Sequence, residues 1–90
     1  MARGTEWPEW WEWELDLILD HLQEQMIRRR FSGIDLREML EKASGLREDV
    51  EFGRWIVATT KDREAWEVIV EPQSAERILL VITAYKVEPA

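Results

Sequence analysis

Apolar residues recur at helical spacing in the first half of the chain and alternate with polar ones in the second. Trp11, Leu15, Ile18, Leu22 and Met26 stand three or four apart and so share one helix face. Pro8 is preset for a first helical turn, and acids follow it where the positive end of the helix dipole favours them. A first helix is therefore expected to start near Pro8. Trp10, Leu17, His21 and Arg28 lie on the shoulder of that stripe, while Trp7 and Trp13 point elsewhere. A break is expected at Phe31-Ser32-Gly33-Ile34-Asp35. Ser32 can cap a second helix, Asp35 holds the reciprocal capping-box position, and Phe31 can staple onto Leu36. Leu36, Met39, Leu40 and Ala43 give that helix its apolar side, and Gly45 is placed to end it.

Beyond Gly45 the period changes to two. Arg54–Thr60, Ala65–Glu71 and Arg77–Tyr85 read as strands, joined by short polar connections that suit hairpins. Trp66, Val68 and Val70 face one way, with Glu67 and Glu71 flanking Ile69 on the other. The Arg77–Tyr85 strand is apolar on both faces and belongs inside the sheet. Leu46–Val50 can add a short edge strand. The expected fold is α+β: two N-terminal helices packed on one face of a three- to four-stranded antiparallel sheet, in the order ααββββ.

Ninety residues suffice for one domain and are too few for two, so residues 1–90 read as a single unit. Charge divides it. Residues 1–24 carry seven acids against Arg3 alone, whereas the remainder is nearly balanced within a net charge of −7. Residues 1–13 therefore read as an acidic, Trp-rich arm on a body formed by 14–88. The chain has no cysteine and one histidine, which removes disulfides, thiolate metal sites and multi-histidine metal sites. No metal or cofactor is expected. No apolar run approaches the roughly 20 residues of a membrane span, and the first residues lack an apolar signal core, so the expected location is cytoplasmic.

The candidate chemistry is sparse. His21 is the natural general acid or base. Arg28, about two helical turns further on, falls on the same side, and an imidazole beside a guanidinium suits phosphodiester chemistry. Arg28, Arg29 and Arg30 end the first helix, where the dipole stabilises cations whatever their function. They fan out around it, so at most two can address one phosphate, and Arg29 and Arg30 are candidates to bind substrate. Arg54, Lys61, Arg63 and Arg77 sit at strand starts or in loops, where they could line an RNA-binding face or remain solvated. Trp7, Trp10, Trp11 and Trp13 cannot all point inward from one helix, so some of them form an apolar patch among glutamates. Such patches tend to mark protein interfaces, with a second copy or a partner protein.

The stretch His21-x4-Met26-x-Arg28-Arg29-Arg30-Phe31-Ser32-x2-Asp35-Leu36-x2-Met39-Leu40, then Gly53-Arg54-Trp55, Trp66-Glu67-Val68-Ile69-Val70-Glu71-Pro72 and Val81-Ile82-Thr83-Ala84-Tyr85, resembles a family of small bacterial domains of unknown function. That family is similar to the BrnT and RelE/ParE-like toxins of type II toxin–antitoxin systems. The resemblance covers about residues 14–88 and implies a compact sheet with N-terminal helices. For ribonuclease members it implies metal-free RNA cleavage, with the substrate's 2′-hydroxyl as nucleophile. By position it makes His21 and Arg28 recurrent helix residues, and Arg54 and Tyr85 recurrent strand residues. Arg30 stands where the family often has glycine. The implied roles are proton transfer for His21, phosphate binding for Arg28 and Arg54, and positioning for Tyr85, with a cognate antitoxin as partner. The other reading is a non-enzymatic interaction module working through the Trp/Glu arm, as a homodimer or with another protein.

Overall fold

A computed structural model describes residues 7–88. The first six residues of the expected arm lie outside the described residues. Its remainder is not the start of a long helix. Glu9–Glu12 form one 3-10 turn, closed by Trp11 N–H to the Pro8 carbonyl (3.0 Å) and Trp13 N–H to the Trp10 carbonyl (3.1 Å). Strand β1, Glu14–Asp16, follows and pairs in parallel with the last strand, setting Leu15 beside Leu79. Helix α1 begins only at Asp20 and runs to Arg29. The expectation of a helix from Pro8 is therefore corrected. Glu14-Leu15-Asp16-Leu17 also alternates with period two, and backbone pairing with the sheet decides between the two patterns. Ile18, assigned to the helical stripe, is exposed in the connection between β1 and α1.

The remaining local signals act as expected, with one shift. α1 ends at Arg30 in the left-handed region (φ 60°), where its N–H and that of Phe31 both reach the Met26 carbonyl. α2, Gly33–Glu41, opens on the Ser32–Asp35 capping box: Ser32 N–H donates to Asp35 Oδ2 (2.8 Å) and Asp35 N–H to Ser32 Oγ (3.1 Å). The helix ends at Glu41, four residues before Gly45, which instead opens the edge strand β2, Gly45–Glu48. β3 is Trp55–Lys61, β4 Glu64–Gln73 and β5 Ile78–Lys86.

The sheet has five strands in the order β1-β5-β4-β3-β2. It is mixed, because β1 runs parallel to β5 and the other pairs are antiparallel. The expected three- to four-stranded antiparallel sheet is thus corrected by one strand at the edge. Asp62 and Arg63, both at positive φ, make the two-residue turn between β3 and β4. The helices cover one sheet face. Leu22, Phe31, Leu36 and Met39 close there over Val57, Trp66, Val68, Val70, Leu79 and Val81 as one core. Phe31 meets the Trp66 ring edge-on at 5.6 Å. The buried Thr59 hydroxyl donates to the Met39 carbonyl and ties α2 to β3. The opposite face carries Arg47, Glu67, Ile69, Glu71 and Tyr85.

Candidate functional site

The polar side chains of α1 form a line at i, i+4 and i+8. Gln25 is buried and sits at its centre. Its Oε1 accepts from Arg29 Nη1 (3.2 Å) and from the Thr83 hydroxyl of β5. Its Nε2 lies 2.6 Å from His21 Nε2. With the amide oxygen committed to two donors, the amide nitrogen faces the imidazole, so Nε2 of the ring must accept. In that arrangement the ring's N–H is the one on Nδ1. Arg29 Nη1 also donates to the Ala84 carbonyl (2.6 Å). The register of β4 against β5 slips at Ile69/Val70, which leaves Ile82 unpaired on β4. A bulge of this kind re-aims neighbouring side chains, which accounts for Thr83 reaching the helix.

At the C-terminal end of this line a cleft of about 660 Å³ opens beside the β3–β4 turn. Four cations line it: Arg29, Arg30, Lys61 and Lys86. Trp66 supplies aromatic surface, Tyr85 borders the cleft, and Asp62, Glu64 and Glu88 supply carboxylates. Lys61 pairs with Asp62 (3.0 Å) and lies 5.5 Å above the Trp66 ring, while Lys86 reaches Glu64 at 3.3 Å. Arg29 and Arg30 form no ion pair with a described residue. An anion entering the cleft would meet two guanidinium groups not neutralised by a carboxylate.

On the uncovered face Tyr85 Oη donates to Glu67 Oε1 (2.7 Å), and Arg47 Nη2 to Glu67 Oε2 (3.0 Å). Arg47 stands opposite Ile56 and reaches diagonally past Ala58, the small neighbour of Glu67 on β3. The Tyr85 hydrogen bond, opposed by burial and aided by Arg47, holds the Glu67 carboxyl below its ordinary range. Burial, and after it the Glu67 carboxylate, pushes the Tyr85 phenol up to about 12. Tyr85 therefore serves near neutrality as a fixed hydrogen-bond donor and not as a base.

The sequence candidates divide accordingly. Arg29, Arg30, Lys61 and Tyr85 meet at the cleft. His21 joins them through Gln25, and its partner in the line is Arg29, not Arg28. Arg28 is exposed, with no ion pair to a described residue. Arg54 stands at the far end of β3 from Lys61, about 20 Å along the strand. There its Nε donates to Glu71 Oε1 (3.1 Å), and Gln73 holds the other Glu71 oxygen (2.6 Å). Arg54 thus does not share a phosphate with the cleft arginines. Arg63 sits at the tip of the β3–β4 turn outside the cleft lining. Arg77 is taken up by the arm, pairing with Glu9 (3.3 Å) over the Trp13 ring (5.4 Å).

The four arm tryptophans pack half-buried against this chain's own core, with Trp10 against Trp55 (5.6 Å) and Trp7 against Trp11 (4.6 Å). Sequence reasoning missed Gln25, Thr83, Glu67, Arg47 and Lys86. For Gln25 a signal was available, since it stands four residues from both His21 and Arg29. Among the described residues no three His, Cys, Asp or Glu side chains are grouped to hold a metal ion, and no helix is long and apolar enough to cross a membrane. Comparison with protein-family models, with curated proteins and with solved structures gives no match for the chain.

Proposed function

We propose that the chain is a toxin-like protein of a bacterial type II toxin–antitoxin system, RelE/BrnT-like in fold and cytoplasmic, that binds RNA in the cationic cleft and cleaves it without a metal. The observation that supports this reading is the convergence of Arg29, Arg30, Lys61 and Lys86 on one cleft of a chain with net charge −7. Such local convergence suits a specific phosphate site better than field-driven binding. Tyr85 borders the cleft, with its hydroxyl committed to Glu67 on the other sheet face. His21 lies eight residues, about 12 Å, back along α1 from Arg29. A strand running along α1 from the cleft would bring a later phosphate to the imidazole.

As held by Gln25, His21 offers an Nδ1–H that suits a phosphate oxygen. Proton transfer needs Nε2. When a phosphate takes Arg29 from Gln25, the amide is free to turn and release that nitrogen. The 2′-hydroxyl then attacks phosphorus as Nε2 takes its proton. The bond from phosphorus to the 5′ oxygen breaks, and the imidazolium returns the proton to the leaving oxygen. The test measures RNA affinity, RNA cleavage and growth arrest together. Arg30→Glu/Lys61→Glu should weaken RNA binding by at least about tenfold and abolish arrest. His21→Ala should keep the affinity and lose cleavage. An affinity unchanged in the double cleft variant would overturn the reading.

A further inference from the structure

The β2–β3 connection is held closed by Asp49 N–H to the Arg54 carbonyl (2.9 Å) and Arg54 N–H to the Glu51 carbonyl (3.2 Å). Gly53, at φ 86°, takes the third place of that turn, which puts Phe52 at its outer corner. Val50 and Phe52 are fully exposed, at 100% and 103% of their reference areas. Glu48, Asp49 and Glu51 surround them, and none forms an ion pair with a described residue. Two bare apolar side chains on a hydrogen-bonded turn form a projection shaped for a pocket. The three acids would be repelled by an anionic membrane surface and call for a cationic rim around an apolar or aromatic floor.

The molecule carries such a pocket at the other end of β3: the cleft of Arg29, Arg30, Lys61 and Lys86 floored by Trp66. About 20 Å of strand separates the two, so the turn cannot enter its own cleft. A second copy can. We infer that two copies of this chain associate by seating the Val50–Phe52 turn of each in the cationic cleft of the other. Exchange about a two-fold axis makes two identical contacts and leaves neither turn nor cleft open. Charge complementarity sets the orientation, with Glu51 and Asp49 meeting Arg29 and Arg30, and Phe52 meeting the aromatic floor. If the RNA reading above also holds, which the association itself does not require, the paired state is one in which each copy blocks the other's RNA site.

Sedimentation of the intact chain over a range of concentrations, without nucleic acid, tests the association. The wild type should show a mass that rises with concentration and falls with added salt. Phe52→Ser, on an exposed turn that packs on nothing, should weaken association by about tenfold or more. Glu51→Lys and Arg30→Glu should each weaken it alone, whereas an equimolar mixture of the two restores it. In the mixed pair the turn changed by Glu51→Lys meets the cleft changed by Arg30→Glu, so opposite charges face each other again. The second contact of that pair is that of the wild type. Equal masses for wild type and Phe52→Ser, whether monomeric or dimeric, overturn the inference, as does failure of the mixture to restore association. RNA of any sequence that binds without dissociating the pair overturns the shared cleft. An absence of RNA binding leaves the association standing and removes only the functional reading.

Discussion

Two polar networks flank β5, and they differ in what holds them. Around Gln25 only the hub is buried: one amide satisfies an exposed imidazole, an exposed guanidinium and a half-buried hydroxyl. Around Glu67 the groups are charged and half open, with the Arg47 side chain 57% exposed and the Glu67 side chain 17%. A buried acceptor that loses its donor keeps the whole desolvation cost, while an exposed ion pair gives up little that water cannot supply. The network with no formal anion should therefore matter more to stability than the one that looks stronger on paper.

Gln25 is the sharpest place to break this contrast. Gln25→Ala should cost about 2–3 kcal/mol in chemical denaturation, because the half-buried Thr83 hydroxyl loses its acceptor and the helix loses the packing of a buried side chain against β5. Gln25→Glu should cost less, since a carboxylate still accepts from both donors. It cannot donate to His21 Nε2, so the ring must present an N–H to the carboxylate instead. The histidine resonances in the two variants report that difference directly. A Gln25→Ala loss no larger than that of Arg47→Ala would show that burial does not set the ranking.

Tyr85→Phe comes next, at about 1–2 kcal/mol for a hydrogen bond to a charged acceptor. Its pH dependence separates it from a simple packing change. The Glu67 carboxyl titrates below its unfolded value in the folded chain, so its contribution is present above the unfolded value and is lost as pH falls through the folded one. The phenol is raised from 10.0 to about 12, so its contribution is complete below pH 10 and disappears between about pH 10 and 12. Denaturation across that alkaline window should show the decline in the wild type and a flat response at this site in Tyr85→Phe. In the variant the Glu67 carboxyl should also titrate higher, since its largest stabilising contact is gone.

Much of this frame was readable from the residues alone. The capping box at Ser32–Asp35, the three long strands and the split of Trp66, Val68 and Val70 from Glu67, Ile69 and Glu71 are local signals, and the fold obeys them. β1 was not legible. Its three residues fit two periods, and its choice depends on pairing with Ile78–Leu80, more than sixty residues away. The candidate site was half legible for the same reason. The arginines at the end of α1 announce themselves as a cluster, but Lys61 and Lys86 join them only through the strand register. Thr83 meets Gln25 beside a bulge that no periodicity predicts. Arg54 looked equivalent to Lys61 as a cation at a strand end, yet seven residues of β3 put them at opposite ends of the molecule.

Arg30 belongs to neither network and sharpens the comparison from the other side, because backbone strain and side-chain charge act there in opposite directions. Its φ of 60° is a conformation that glycine adopts without the steric cost borne by a residue with a Cβ. Arg30→Gly should therefore raise stability by about 0.5–1 kcal/mol in denaturant while removing an unpaired guanidinium from the cleft. Arginine at a position that favours glycine is the choice expected where the cleft needs its charge more than the turn needs relief. The smallest effect is reserved for Arg47→Ala, within about 0.5 kcal/mol at neutral pH and smaller still at high salt. Measured beside Arg30→Gly, it sets the scale. If deleting an exposed ion pair costs more than relieving one strained residue gains, the uncovered face is held by electrostatics after all, and the contrast between the two networks fails.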